Sequence, residues 1–295
     1  MSIPTLLYTI VDAFTSTPFS GNPASVIILP PALHSLPSES LLQIAAEFNL
    51  SETAFLIPQP STSPATLRYG LRWFTSAIEV PLCGHATLAS ARVIFSTPEG
   101  QQVDRLEFET LSGTLVAKKV PDGSGKIELD FPASALEEVT NADELAQVSE
   151  VVSAAAGGGV SVRGVRKAGF FLLVEVDPGF DLEGAVVDAN PFVKLPFDAV
   201  ILTSSRATAF RPGACFISRV FGPRIGIAED PVTGSAHRVL APYWGQVLNI
   251  PSGEVFEARQ ASKRGGDLDL IWEKDSGRVR IQGSAVVTMR GELYL

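Results

Sequence analysis

Two stretches of this chain, 150 positions apart, carry one local pattern: Glu79-Val80-Pro81-Leu82-Cys83-Gly84-His85-Ala86 and Glu229-Asp230-Pro231-Val232-Thr233-Gly234-Ser235-Ala236. Each reads E-x-P-x-[CT]-G-x-A and opens a helix-like run. A pattern repeated at half the chain length predicts two similar halves, each presenting one helix N-terminus. Backbone N–H groups in a first helical turn have no intrahelical partner, and the dipole adds partial positive charge. Such a terminus takes a carboxylate or phosphate readily, so two of them facing a shared site would suit a small anionic substrate.

The length, 295 residues, gives each half enough chain to bury its own core. Hydrophobic residues make up 45% and charged residues 19%, which excludes a disordered chain. With a net charge of -9 and no Lys/Arg-rich stretch, neither nucleic acid nor an anionic membrane is expected as a partner. The Met-Ser-Ile-Pro start has no basic segment followed by an apolar core, and no apolar run approaches the roughly 20 residues that span a bilayer. A cytoplasmic protein is expected. Cys83 and Cys215 are the two cysteines, too few for a disulfide scaffold or a cysteine-based zinc site. No metal is expected.

The order of elements repeats as well. Strands are expected at 6–14 and 22–29, a helix at 39–47 with Ser38 as its cap, strands at 52–57 and 67–74, and an exposed Pro/Ser-rich loop at 58–64. The run 86–95 is apolar nearly all round, the mark of a buried helix. After further strands to 131, the second half opens with an acidic helix at 141–155 and a strand at 169–176. Phe216-Ile-Ser-Arg219-Val-Phe221 precedes Glu229 much as Leu71-Arg72-Trp-Phe74 precedes Glu79. The second helix begins near Ser235; Pro242 is expected to kink or shorten it and Gly245 to cap its end. Strands outnumber helices, and the fold class is α+β: two halves, each a curved sheet wrapped around one apolar helix. The halves are 1–132 and 133–287, with a last strand at about 288–295 that could return to the first.

Glu52 stands at a helix-to-strand junction beside the apolar run Thr53-Ala-Phe-Leu-Ile57. A carboxyl group there loses hydration, which suits it to proton transfer, although a surface turn glutamate reads the same way. His85, just after Gly84 at the start of the buried helix, can exchange protons near neutral pH or act as a packing histidine. Asp230 and Ser235 bracket the second helix start and could anchor a substrate amine or hydroxyl, or simply cap. Asn22, in the Gly21-Asn22-Pro23 turn, could line the same crevice. His34, His237 and Cys215 read as structural, Cys215 as a small core residue in a strand. Cys83 and Thr233 occupy equivalent places, so a racemase with one thiol on each face of a carbon lacks its second thiol. Nucleotide, zinc-protease and serine-hydrolase signatures are missing.

Taken together, Asp12-Ala-Phe14 with Phe19-Ser-Gly-Asn-Pro-Ala24, Asn49-Leu-Ser-Glu-Thr-Ala-Phe55, Glu79 to Thr87 and Gly226 to His237 resemble the PhzF-like phenazine-biosynthesis isomerase family. The resemblance implies a diaminopimelate epimerase-like fold, two pseudo-symmetric halves each a rolled, mostly antiparallel sheet around a central helix, with the active site in the cleft between them. It further implies a cofactor-free isomerase, commonly a homodimer, acting on a small amino- or hydroxy-substituted carboxylic acid. By that resemblance Glu52 is the general acid/base. His85, Asp230 and Ser235 orient substrate and assist the proton shift, and Gly84 and Gly234 offer backbone N–H groups.

Overall fold

The computed structural model describes residues 5–61, 63–205 and 211–295; the start at Met1–Pro4 and Thr62 of the 58–64 loop lie outside them. The chain divides into two compact units, Met1–Asp130 with Ile281–Leu295, and Phe131–Arg280. The segment that returns to the first unit thus starts at Ile281 rather than at about 288.

In the first unit, β1 (Thr5–Ala13) pairs antiparallel with β2 (Asn22–Ile28), and α1 (Ser38–Phe48) carries the chain over to β3 (Glu52–Gln59), parallel to β2. Strand β4 (Thr66–Phe74) runs antiparallel to β3 and meets the short β5 (Glu79–Val80). Helix α2 (Gly84–Phe95) and the single turn α3 (Pro98–Gln101) cross over to β6 (Arg105–Thr110), parallel to β4. An antiparallel meander through β7 (Gly113–Lys119) to β8 (Ile127–Pro132) follows. The strand Ala285–Tyr294 lies antiparallel on β1.

Helix α2 is the pillar of this unit. Ten of its twelve residues are buried, which fits a helix with one charged side chain, Arg92. A helix apolar on every side is stable only with sheet around it. Ser90 and Thr87 belong there because their hydroxyls bond back to the carbonyls of Ala86 and Cys83. Ser38 is the first residue of α1 and not its cap: Pro37 holds the cap position, and the Ser38 hydroxyl accepts from Arg72 Nη2 at 2.7 Å. The helix stops at Asn49, left-handed at φ 49°, which turns the chain straight into Glu52 and β3.

The second unit repeats that pairing order. After β9 (Glu137–Glu138) and α4 (Ala142–Ala155), capped by the Asn141 side chain, β10 (Val162–Ala168) runs antiparallel to β11 (Phe171–Val176). Strand β12 (Ala199–Ser204) is parallel to β11, and β13 (Phe216–Gly222) is antiparallel to β12 and to β14 (Ile227–Asp230). Helix α5 (Gly234–Val247) crosses over to β15 (Val255–Gln260), parallel to β13, followed by antiparallel β16 (Gly266–Glu273), then β17 (Arg278–Gly283) and β18, the Ala285–Tyr294 strand already described. Each unit therefore has the same succession: parallel pair, antiparallel pair, a short strand ending in the repeated pattern, a buried helix, and a parallel strand beyond it.

Pro242 does not shorten α5, which continues through it to Val247. A proline removes the N–H that would bond the carbonyl four residues back, here that of Arg238. The backbone N–H of Ser134 takes that carbonyl at 3.0 Å, and Arg238 Nε donates to the Pro132 carbonyl at 2.7 Å. Gly245 is not a cap but a contact: a Cβ there would stand 2.6 Å from the Trp272 ring. Cys215 sits half-buried at the bend before β13, outside the strand and the core.

Candidate functional site

Strand β3 begins at Glu52 and α2 begins at Gly84, and the fold sets these two starts side by side because β2 and β3 pack against α2. The His85 ring, 4% exposed, turns its two nitrogens toward three neighbours. Its Nε2 lies 3.1 Å from Glu52 Oε2. The two form an ion pair when the ring is protonated, and neither atom has another hydrogen-bond partner among the described residues. Its Nδ1 faces Asn22 Nδ2 at 3.2 Å and Cys83 Sγ at 3.5 Å.

Asn22 is fully buried, and its Oδ1 accepts from the Ser51 hydroxyl at 3.0 Å. The amide therefore turns its NH2 toward the ring, making Nδ1 an acceptor and placing the neutral ring's proton on Nε2, facing Glu52. Burial works against charge on His85; the Cys83 sulfur and the Glu52 carboxylate work the other way and hold its pKa well above the ordinary imidazole value. Burial, and next Glu52, push the Cys83 thiol up, so Cys83 is a neutral thiol at neutral pH. The attraction that remains for the ring's proton is that of Glu52.

The turn that delivers Asn22 is built for it. Gly21 has φ 65°, and a Cβ there would lie 2.2 Å from the Ala13 carbonyl oxygen. Phe19, at φ 70°, is held in the left-handed region by its N–H donating to the buried Asp12 carboxylate at 2.7 Å.

In the second unit the equivalent helix start carries different groups. The Thr233 hydroxyl donates to Asp230 Oδ2 at 2.5 Å. Gln260, fully buried on β15, braces the loop: its Oε1 accepts from the Thr233 N–H at 2.8 Å, and its Nε2 donates to the Asp230 carbonyl at 2.7 Å and to Thr233 Oγ1 at 3.2 Å. That last bond leaves the Thr233 hydroxyl proton for Asp230. Ser235 and Gly234 stand in the first turn of α5, Ser235 half-buried. His237 donates from Nδ1 to the Thr233 carbonyl at 2.9 Å, the bond Thr87 makes to Cys83 in the first unit.

Comparison with known proteins bears on the family and the fold. The family profile of phenazine biosynthesis-like proteins, PhzC-PhzF, matches residues 11–291. The chain belongs to the PhzC-PhzF family. The mouse phenazine biosynthesis-like domain-containing protein 1 is 41% identical, over 96% of this chain and 97% of its own. A protein of Halalkalibacterium halodurans named as an uncharacterized isomerase is 39% identical, over 97% of both. The crystal structure of a PhzF family protein of Enterococcus faecalis superposes with a TM-score of 0.82 at 35% identity, covering 99% of this chain and 100% of that one.

Within this PhzC-PhzF chain the first unit gathers Asn22, Glu52, Gly84 and His85 at one place, and the second gathers Asp230, Gly234 and Ser235 at another. Sequence reasoning missed Ser51 and Gln260. Ser51 adjoins Glu52 and offered only a polar neighbour as signal. Gln260 lies 30 residues beyond Asp230 in a plain strand, and the parallel pairing of β13 with β15 is what brings it to the loop.

Proposed function

We propose that this protein is a cofactor-independent isomerase in which Glu52 takes a proton from an activated carbon of a small amino- or hydroxy-substituted carboxylic acid and returns it elsewhere. The observation that carries this reading is the buried pair Glu52 Oε2 and His85 Nε2, 3.1 Å apart and, each other aside, without a hydrogen-bond partner among the described residues. An unsatisfied buried polar atom is destabilising, and two that face each other are retained where a reacting group completes them. Glu52 supplies the base. His85, its Nδ1 occupied by Asn22 and Cys83, offers the Nε2 proton to negative charge developing on the substrate. The first-turn N–H groups of α2 at Gly84 and His85 suit a carboxylate.

Membership in the family and relatives named as isomerases support the reaction class. A two-thiol racemase is disfavoured because Thr233, opposite number of Cys83, is a hydroxyl already committed to Asp230. The test is solvent exchange. A panel of α-amino and α-hydroxy carboxylic acids incubated in deuterated water with wild-type protein is expected to yield at least one compound with carbon-bound deuterium, and Glu52→Gln to abolish it. Full-rate exchange by a folded Glu52→Gln protein refutes the role given to Glu52.

A further inference from the structure

The proton-transfer reading uses Glu52 and His85 but leaves Cys83 without a task, although the thiol is buried against the same imidazole. One ligand atom each from Glu52, Cys83 and His85 lie within 4.8 Å of one another. A carboxylate, a thiolate and an imidazole form a donor set of borderline softness, the kind that takes zinc or cobalt and has little to offer magnesium or calcium. We propose that Glu52, Cys83 and His85 bind a zinc-like divalent cation, and that the bound cation blocks the acid/base pair.

Two further observations beside the cluster itself support a ligand there. The His85 side chain is nineteen-twentieths buried, and its Nε2 and the facing Glu52 Oε2 have no hydrogen-bond partner among the described residues beyond their contact with each other, so the cation replaces that one contact. The spacing is also close to what a cation needs. Bonds of roughly 2.0–2.3 Å at a tetrahedral centre set neighbouring ligand atoms about 3.3–3.8 Å apart. The Glu52–His85 edge is 3.1 Å, and with the three ligand atoms within 4.8 Å of one another, binding requires the Cys83 sulfur to draw in toward that edge. The helix start is not an obstacle, because the cation's charge is met by the carboxylate and the thiolate.

The proton balance is complete within the site and solvent. Cation binding at Nε2 needs that nitrogen bare, so the ring proton moves to Nδ1, and the Cys83 thiol proton leaves to water. The Asn22 amide then turns over to present Oδ1 to the Nδ1 proton. Ser51 permits this, since its hydroxyl can accept from the amide as well as donate to it. No electron changes hands. The fourth coordination position falls to water, as in zinc sites with three protein ligands.

Blockage rests on the acid/base reading above, whereas binding does not, and the experiment separates them. Full-length wild-type protein, Cys83→Ser, Glu52→Gln and the control Cys215→Ser are titrated with cobalt(II) under reducing conditions, with circular dichroism to establish that each is folded. Wild type and Cys215→Ser are expected to show a near-ultraviolet thiolate-to-cobalt charge-transfer band that saturates at one equivalent and is displaced by zinc. Cys83→Ser is expected to lose the band, and Glu52→Gln to bind at least about tenfold more weakly. Absence of the band in wild type, its survival in Cys83→Ser, or equal affinity in Glu52→Gln overturns the site. If the band behaves as expected and one equivalent of zinc leaves deuterium exchange unchanged, the blockage half of the proposal is wrong while the site stands. Absence of exchange in the metal-free protein is the separate failure of the isomerase reading.

Discussion

His237 lies wholly inside the second unit, its ring stacked on Phe216 with centroids 6.3 Å apart. Its Nδ1–H is spent on the Thr233 carbonyl, and its Nε2 has no hydrogen-bond partner among the described residues. Charging it means burying a cation that no carboxylate among the described residues pairs with, and burial, only partly opposed by the Thr233 bond, lowers the pKa from 6.5 to about 4. The unfolded chain therefore binds a proton below pH 6.5 that the folded chain refuses until about pH 4. Stability from this group is complete above pH 6.5 and is lost as the pH falls toward 4. Each pH unit in that window is worth about 1.4 kcal/mol, so the total loss is about 3 kcal/mol. The perturbation that isolates it is His237→Thr, which copies Thr87 at the equivalent place and keeps a hydroxyl to bond the Thr233 carbonyl. Urea denaturation of both proteins from pH 7.5 to 4.5 gives the assay: the difference in unfolding free energy between wild type and variant is expected to shrink by about 1.4 kcal/mol per pH unit below pH 6. Carbon-bound proton spectra of the three histidines give the second readout, with one ring unchanged through pH 5. A pH-independent difference between the two proteins, or a His237 signal that titrates near 6.5, refutes the reasoning.

The repeat supplies a matched pair of ion-pair predictions. Arg219 is 8% exposed and forks onto Glu229 at 2.7 and 2.9 Å, so Glu229→Ala, which strands a buried guanidinium, is expected to destabilise by about 3–5 kcal/mol in urea unfolding. Its counterpart Arg72–Glu79 has the same fork but an Arg side chain 33% exposed, and Glu79→Ala is expected to lower stability by only about 1 kcal/mol. Equal losses would contradict burial as the deciding factor. Gly21→Ala forces a Cβ onto the Ala13 carbonyl at positive φ and is expected to destabilise by more than about 2 kcal/mol and to shift the His85 ring signals through Asn22; an unchanged His85 spectrum would sever that link. Pro242→Ala restores an N–H that competes for the Arg238 carbonyl, so hydrogen exchange at the Ser134 amide is expected to quicken, and unchanged protection there would count against the substitution of one bond for the other.

Much of the fold was legible because the repeated pattern states a backbone requirement. Gly84 and Gly234 each begin a helix behind an extended residue, Cys83 or Thr233, and the small Ala two places on lets the first turn sit deep in a sheet. Glu52 and His85 could be named from their junctions, but that they face each other depends on β3 starting where α2 starts, a matter of strand register that a residue pattern does not encode. Gly245 and Pro242 were misread for a common reason: both read as breakers locally, and both are explained by partners far away in sequence, Trp272 and Ser134. Cys215 was misread because small apolar residues are placed by what lies across from them, which here is a bend rather than a core.

The antiparallel ladder between β1 and Ala285–Tyr294, from Thr5 opposite Tyr294 to Ala13 opposite Ala285, has a consequence for how the molecule is made. The unit begun first on the ribosome is finished last. Throughout synthesis of the second unit, β1 displays an open edge whose native partner does not yet exist, and closing that edge joins strands separated by almost the whole chain. The second unit, contiguous in sequence, can fold in the meantime. Nascent chains arrested before Ala285 should then hold one finished domain and one with a vacant berth, and it is at that berth that chaperones, or another copy's last strand, would find their opening.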